Sequence, residues 1–318
     1  MEGLKRDLLT LQDYSGQDVL NLVDLTLKVK NLGKKKISLL EGKTAALLFE
    51  KPSTRTRVSF EVAMKSLGGD SLYLEKKHLQ LARGETISDT IKVLSRYIDV
   101  VVARVYSHED LIEMSRNATI PVINALSDKF HPTQILADLA TIKEKFGKLK
   151  GIKVAYVGDG NNVCNSLLIG CSKVGVNISV ASPEKYLPAK EVIEWALKNA
   201  QKSGSQIEIV SDPFKAVKGA DVVYTDTFVS IGMEKEREER LKTFLPKYQV
   251  NAKLIEATNR KSFFMHCLPA HRGEEVTDEV IDGSWSIVWD QAENKLHSAK
   301  AVLLNAFFGD EIPSLNLK

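Results

Sequence analysis

The chain has 318 residues, enough for two domains with cores of their own. Its 43% hydrophobic and 27% charged residues suit a folded, soluble protein, and a net charge of only +3 argues against nucleic acid or a membrane surface as the principal partner. Three cysteines (Cys164, Cys171 and Cys267) cannot all pair, Glu2, Lys5, Arg6 and Asp7 leave no room for a secretion signal, and no apolar run could span a bilayer, so a reducing cytoplasm is the expected compartment.

In chain order, Lys34–Lys36 reads as a solvated loop. Short apolar strands are predicted at Thr44–Phe49, Ser71–Leu74, Val100–Arg104 and Val122–Asn124. Helical patterns lie between them at Ser53–Leu67, Ser88–Tyr97 and Glu109–Arg116. A long amphipathic helix follows Pro132 and ends at Gly147, with Ile135, Leu136, Leu139, Ile142 and Phe146 at helical spacing. The alternation then restarts: strand Ile152–Val157, helix Val163–Lys173, strand Ile178–Ala181, helix Ala189–Lys202, and strands Val222–Thr225 and Phe263–His266. The last helix is placed at Glu293–Phe308. This pattern predicts an α/β protein with mainly parallel sheets flanked by helices. The domain boundary is placed in the helix after Pro132, giving domains of 1–135 and 136–292, with the segment from about 293 to 318 packing back on the first.

Ligands of such sheets bind beyond the strand C-termini, where several polar clusters fall. At Ser53-Thr54-Arg55-Thr56-Arg57 a helix opens just after Pro52, and its free N–H groups and dipole favour an anion. Hydroxyls and guanidinium groups at the same point build a socket for phosphate. A capped helix with solvated arginines is the alternative, but four alternating hydroxyl and guanidinium residues exceed what a cap requires. Arg104 ends another strand. His131-Pro132-Thr133-Gln134 opens the long helix; His131 could donate to a carbonyl and Gln134 accept from an amide, or they could be a cap and an exposed Gln. Residue chemistry leaves these two readings open.

Gly158-Asp159-Gly160-Asn161-Asn162-Val163 approaches a dinucleotide fingerprint but has Val163 in place of the third glycine, and the next strand ends Ala181-Ser182-Pro183 without a ribose-binding acid. A nicotinamide-dependent oxidoreductase is thereby disfavoured. Asn161 and Asn162 offer amides to a polar substrate or tolerate a tight turn. Asp226, after Val222-Val223-Tyr224, suits an ammonium-bearing substrate or caps a turn. The charged run from Glu234 reads as a solvated helix face. In His266-Cys267-Leu268-Pro269, adjacent strand residues face opposite ways, so His266 is not the base of a thiol nucleophile. Cys164 and Cys171 read as core. No zinc spacing and no G-x-x-x-x-G-K-[ST] loop occurs. Clusters from both halves suit group transfer from a small phosphorylated donor to an amine in the cleft between the domains, with no metal or other cofactor required.

Ser53-Thr54-Arg55-Thr56-Arg57, His131-Pro132-Thr133-Gln134 and His266-Cys267-Leu268-Pro269, in this order and spacing, resemble the aspartate/ornithine carbamoyltransferase family along essentially the whole chain. Gly158–Asn162, Asp226 with Ser230 and Gly232, and Gln291-Ala292-Glu293-Asn294 look like the ornithine branch. The resemblance implies two Rossmann-like domains joined by bridging helices, in a homotrimer or a multiple of trimers. It also implies transfer of carbamoyl from carbamoyl phosphate to the δ-amine of ornithine. By the same resemblance, Ser53, Thr54, Arg55 and Thr56 hold the phosphate, and Arg104, His131 and Gln134 hold the carbamoyl group. Gln80 reaches a neighbouring subunit's site, and Asn162, Asp226, Ser230 and Ile231 bind ornithine. Cys267 and Leu268 lie beside the reacting centre, with Asp226, Cys267, Arg104 and His131 as the catalytic set. Two positions depart from the pattern. Ile231 stands where methionine is usual, and Lys295 where an arginine usually helps bind the carbamoyl oxygen; lysine keeps the charge but not the fork. Other acceptors, putrescine or aspartate, are the nearest alternatives.

Overall fold

A computed structural model describes residues 6–33, 37–230, 232–309 and 311; Lys34–Lys36 and Ile231 lie outside them. The chain divides into two compact units. One takes the described residues of Met1–Tyr14, Asp18–Ala140 and Asn294–Lys318, the other Ser15–Gln17 and Thr141–Glu293.

The first unit carries α1 (Gly16–Asn31, from its third residue on), β1 (Thr44–Phe49), α2 (Thr54–Ser66), β2 (Asp70–Glu75), α3 (Ile87–Leu94), β3 (Val100–Arg104), α4 (His108–Asn117) and β4 (Val122–Leu126). Its strands form one parallel sheet in the order β2-β1-β3-β4. The central strands β1 and β3 are buried along nearly their whole length, which is why they read as unbroken apolar runs, whereas the edge strand β2 is half-exposed. Ala46, Leu48, Val101 and Ala103 from these strands pack against Ile91 of α3 and Leu111 and Met114 of α4. The unit division falls inside α5 (Pro132–Phe146).

The second unit holds β5 (Lys153–Val157), α6 (Asn162–Val174), β6 (Asn177–Ala181), α7 (Lys190–Ser203), β7 (Ile207–Val210), α8 (Pro213–Val217), β8 (Val222–Thr225), α9 (Arg237–Phe244), α10 (Ala252–Glu256), β9 (Phe263–His266) and α11 (Asp278–Ile281). The first six residues of α12 (Val288–Phe308) belong to it and the rest to the first unit. Its parallel sheet has the order β7-β6-β5-β8-β9. The α/β architecture with helix-flanked parallel sheets is therefore as expected. The differences are in particular elements: α1, β7, α8, α10 and α11 were not anticipated, and α12 begins at Val288 rather than at Glu293.

In both sheets the strand order reverses next to the first strand of the unit, so the loops after β1 and β3, and after β5 and β8, are the ones that diverge to leave a binding crevice. In the second unit one buried cation braces such a loop. Arg240, buried within the otherwise exposed charged face of α9, pairs with Asp159 and donates from Nε to the Phe228 carbonyl at 2.6 Å. Its guanidinium lies 4.5 Å above the Tyr186 ring, and Phe228 and Phe244 stack beside it with ring centroids 4.5 Å apart. Gly160 follows Asp159, and a Cβ there would come within 2.2 Å of the Pro188 nitrogen, so the loop closes only with glycine.

Burial raises the Asp159 carboxyl to about 7, against the pull of Arg240 and with Asp226 adding to the rise. Arg240→Met leaves that carboxyl and the Phe228 carbonyl without their partner and is expected to cost about 3 kcal/mol in denaturant unfolding. In the variant nothing opposes burial, so the folded state binds a proton that the unfolded carboxyl gives up near its ordinary pKa. Stability must then fall as pH rises, and the variant should be measurably more stable at about pH 6 than at about pH 8. A pH-independent deficit would refute this account.

Candidate active site

The first polar cluster is built on β1, β3 and α5. β1 ends at Phe49, and the chain turns through Glu50 to Ser53, the N-cap of α2, with extended backbone (φ −162°, ψ 112°). The Ser53 Oγ accepts the Thr56 N–H at 3.3 Å, so part of the helix start is already capped. Thr54 is exposed, Arg55 half-buried and Thr56 buried. The two arginines of the motif diverge in role. Arg57 bonds Glu61 at 2.8 Å and lies 3.7 Å above the Tyr73 ring, whereas Arg55 lies half-buried in the first turn of α2. Glu50 accepts the Tyr106 N–H at 2.7 Å, and the buried Lys51 sits 4.4 Å above the Tyr106 ring. Lys51 adds a cation to this loop that motif reading passed over. Gln80 is exposed on a short 3-10 turn, Gln80–Arg83.

Arg104, at the end of β3, is 7% exposed. His131 and Gln134 open α5, and both are buried on a single cation: Lys295 Nζ donates to Gln134 Oε1 at 2.7 Å and approaches His131 Nε2 at 3.3 Å. Gln134 Nε2 in turn donates to Asp138 at 2.9 Å. The even choice left by residue chemistry thus falls against an exposed Gln. Lys295 meets two neutral acceptors as a point donor, a contact for which a fork is unnecessary. Burial, then the charges of Lys295 and Arg104, hold the His131 imidazole well below its ordinary pKa of 6.5. The ring is neutral near pH 7, and its Nε2 lone pair faces the ammonium.

The second cluster lies beyond β5, β8 and β9. Asn161 caps α6, its Oδ1 accepting the Val163 and Cys164 N–H groups at 3.0 and 3.1 Å, while its Nδ2 donates to Asp226 Oδ2 at 2.8 Å. Asp226 also accepts from the Cys267 thiol at 3.0 Å. Asp226, Cys267 and Asn161 are thus brought together; Asn162 follows as the first residue of α6, and Ser230 lies half-buried in the loop after β8. The expected companion Ile231 is outside the described residues. Cys267 is the partly exposed cysteine, while Cys164 and Cys171 are buried, as expected for core residues, and burial pushes the Cys164 thiol well above its ordinary range. His266 bonds Glu275 and the Leu268 N–H, leaving Cys267 to Asp226, so the two neighbours serve different partners. Gln291 ties this end of the sheet together: its Oε1 accepts the His266 N–H at 2.9 Å and its Nε2 donates to the Tyr224 hydroxyl at 3.1 Å. Asn161 was offered with Asn162 as an amide for a polar substrate but was left out of the set implied by the resemblance; Arg240 and Glu275 were in neither and carry no local signal.

The His131 environment predicts a pH signature. Below pH 6.5 the unfolded imidazole takes a proton that the folded one refuses, so this residue's contribution to stability is lost as pH falls from about 6.5 toward the depressed folded value, by up to about 1.4 kcal/mol per pH unit. Urea unfolding of wild type and His131→Gln at pH 7.5 and pH 5.5 should show a smaller loss in the variant; parallel losses would exclude a buried neutral imidazole.

Residues 6–144 match the domain described as aspartate/ornithine carbamoyltransferase, carbamoyl-P binding domain, and residues 150–306 match the Asp/Orn binding domain of the same family. The ornithine carbamoyltransferase of Pyrococcus horikoshii is 57% identical over 300 residues, covering 94% of both chains. That of Bacillus subtilis is 54% identical over 299 residues, covering 94% of this chain and 92% of its own. Among solved structures, the Pyrococcus furiosus ornithine carbamoyltransferase aligns with a TM-score of 0.91 at 57% identity, over 94% of this chain and 96% of that one. The Giardia lamblia ornithine transcarbamoylase aligns at 0.86 and 39% identity over 99% and 100%. With matches to both domains and this level of identity, the chain belongs to the aspartate/ornithine carbamoyltransferase family.

Proposed function

We infer that the chain is an ornithine carbamoyltransferase, forming L-citrulline and phosphate from carbamoyl phosphate and L-ornithine. The observation that carries the choice of acceptor is the cluster of Asp226, Cys267 and Asn161, which offers a carboxylate, a thiol and an amide at the crevice loops of the second unit. An acceptor with two carboxylates would need cations there; an amine is matched by an acid. Relatives covering nearly the whole chain and named ornithine carbamoyltransferase support the same reading.

The donor belongs to the domain of 1–135 with the segment after about residue 293, and the acceptor to 136–292. Ser53, Thr54, Arg55 and Thr56 take the phosphate on the N–H groups and dipole of α2. Arg104, His131, Gln134 and Lys295 surround the carbamoyl group, and Gln80 completes the site of a neighbouring subunit in a homotrimer. Asn162, Asp226, Ser230 and Ile231 hold ornithine, with Cys267 and Leu268 beside the reacting carbon.

The δ-amine attacks as the free base. Its lone pair forms the new C–N bond, the carbonyl electrons move to oxygen, and Arg104 with Lys295 stabilises that oxyanion. Collapse of the tetrahedral intermediate expels phosphate into the α2 socket, and the amine proton leaves past Asp226. His131, held neutral, contributes a dipole in place of a second full charge. No step calls on a metal or other cofactor. The enzyme works in the cytoplasm, in arginine biosynthesis.

Three acceptors tested side by side with carbamoyl phosphate decide the assignment: ornithine should be used in strong preference to putrescine and aspartate, and a preference for either of those overturns it. Asp226→Asn should lower kcat/KM for ornithine on the order of a hundredfold, the loss of a charge-assisted contact. Arg55→Ala should weaken binding of a carbamoyl-phosphate-like bisubstrate analogue by about tenfold or more in calorimetry; undiminished affinity would remove Arg55 from the anion socket.

A further inference from the structure

The turn that carries Cys267 rests on a buried polar chain to which the proposed reaction assigns nothing. Leu268 adopts a left-handed backbone conformation (φ 59°), one that a leucine holds only when its surroundings impose it. What faces its N–H is the ring of His266: the Leu268 N–H donates to His266 Nδ1 at 2.8 Å, spanning Cys267. An Nδ1 that accepts carries no proton, so the ring proton sits on Nε2, which meets Glu275 Oε1 at 3.1 Å. That same oxygen accepts the His271 N–H at 2.6 Å. The Glu275 and His266 side chains are fully buried. One tautomer of His266 satisfies both ring nitrogens and Glu275 Oε1, while Glu275 Oε2 is buried without a hydrogen bond, 3.7 Å from His271 Nδ1.

Resting on the assignment of Cys267 and Leu268 to the reacting centre, we propose that Glu275 and His266 are a positioning dyad that sets the Cys267–Leu268 turn, and with it the approach of the acceptor amine. Glu275 touches no substrate in this scheme. It fixes the tautomer of His266; His266 fixes the Leu268 N–H; and the turn between them places the Cys267 thiol 3.0 Å from Asp226. Gln291 secures the strand end before the turn by accepting the His266 N–H, so a change in the dyad is transmitted forward into the turn.

Two substitutions at one position separate positioning from bulk stability. In His266→Asn the amide oxygen replaces Nδ1 as acceptor for Leu268 but reaches no further. In His266→Gln the amide reaches Glu275 but offers Leu268 no acceptor. The second is expected to lose kcat on the order of a hundredfold, as misplacement near the reacting atoms does, with the KM for carbamoyl phosphate unchanged, whereas the first keeps most of the rate. Glu275→Gln, which keeps the shape and loses the charge, should fall between them.

A substrate-free readout accompanies the kinetics. Because Cys164 and Cys171 are buried, iodoacetamide labelling reports on Cys267. Labelling should speed up in His266→Gln and Glu275→Gln and stay close to wild type in His266→Asn. Equal losses in the two His266 variants, of rate or of folding, overturn the dyad, as does wild-type labelling and turnover in Glu275→Gln. Should wild type make no citrulline, the reaction assignment fails on its own, while the labelling series still judges the dyad.

Discussion

A parallel sheet covered on both faces has nowhere to put a polar side chain except beyond its strand ends, and the rest of this molecule follows from that constraint. Thr44–Phe49 and Val100–Arg104 in one unit, and Lys153–Val157 and Val222–Thr225 in the other, are apolar almost throughout, so the chemistry is displaced into the loops that follow them. The order of strands then selects among those loops. Where the connections part in opposite directions, two strand ends stand side by side with no helix covering them both. Ser53 and Arg104 sit at one such point, Asn161 and Asp226 at the other.

Displacing polar groups to strand ends does not make them solvent-exposed. Arg104, His131, Gln134, Lys295, Asp159, Asp226, Arg240 and Glu275 are all nearly or fully buried, and such groups are tolerable only when paired. The pairing differs between the units. In the first, the Lys295 ammonium reaches the neutral Gln134 and His131, an arrangement that keeps positive charge in place while the imidazole stays uncharged. In the second, carboxylates take bonds from a guanidinium, an amide, a thiol and an imidazole. One unit is thereby organised around cations and the other around anions, which is the polarity that a phosphorylated donor and an amine acceptor call for.

Much of this was legible in the amino-acid order, and the exceptions have physical causes. Central strands announce themselves because nearly every residue is apolar; β7 did not, since its four residues are all half-buried and include Glu208. The start of α12 was set five residues late because Trp289, 64% exposed, interrupts the apolar periodicity there. Site residues adjacent in sequence formed recognisable motifs. Arg240 could not be recognised, because its partner Asp159 is 81 residues away and its neighbours in α9 are solvated charges of the same kind. Glu275 was invisible for a similar reason: only the fold reveals that this one acid of a Glu274-Glu275 pair points into the core. Periodicity records which face of an element is dry, but it holds no information about which distant residue a buried charge will meet.

The division of the chain also has a consequence for how the protein is made. Apart from Ser15–Gln17, the second unit is an insertion that interrupts the first between Ala140 and Asn294. During synthesis it has all five strands and the whole of its aromatic cluster as soon as Glu293 is added. The first unit does not, although its sheet is finished at Leu126, because the ammonium of Lys295 and the Ser298 hydroxyl that bonds Thr133 at 3.2 Å have yet to emerge. As the chain elongates, the residues of the acceptor half are therefore all in place at Glu293, whereas His131 and Gln134 wait, for more than half the length of the chain, for the cation that settles them.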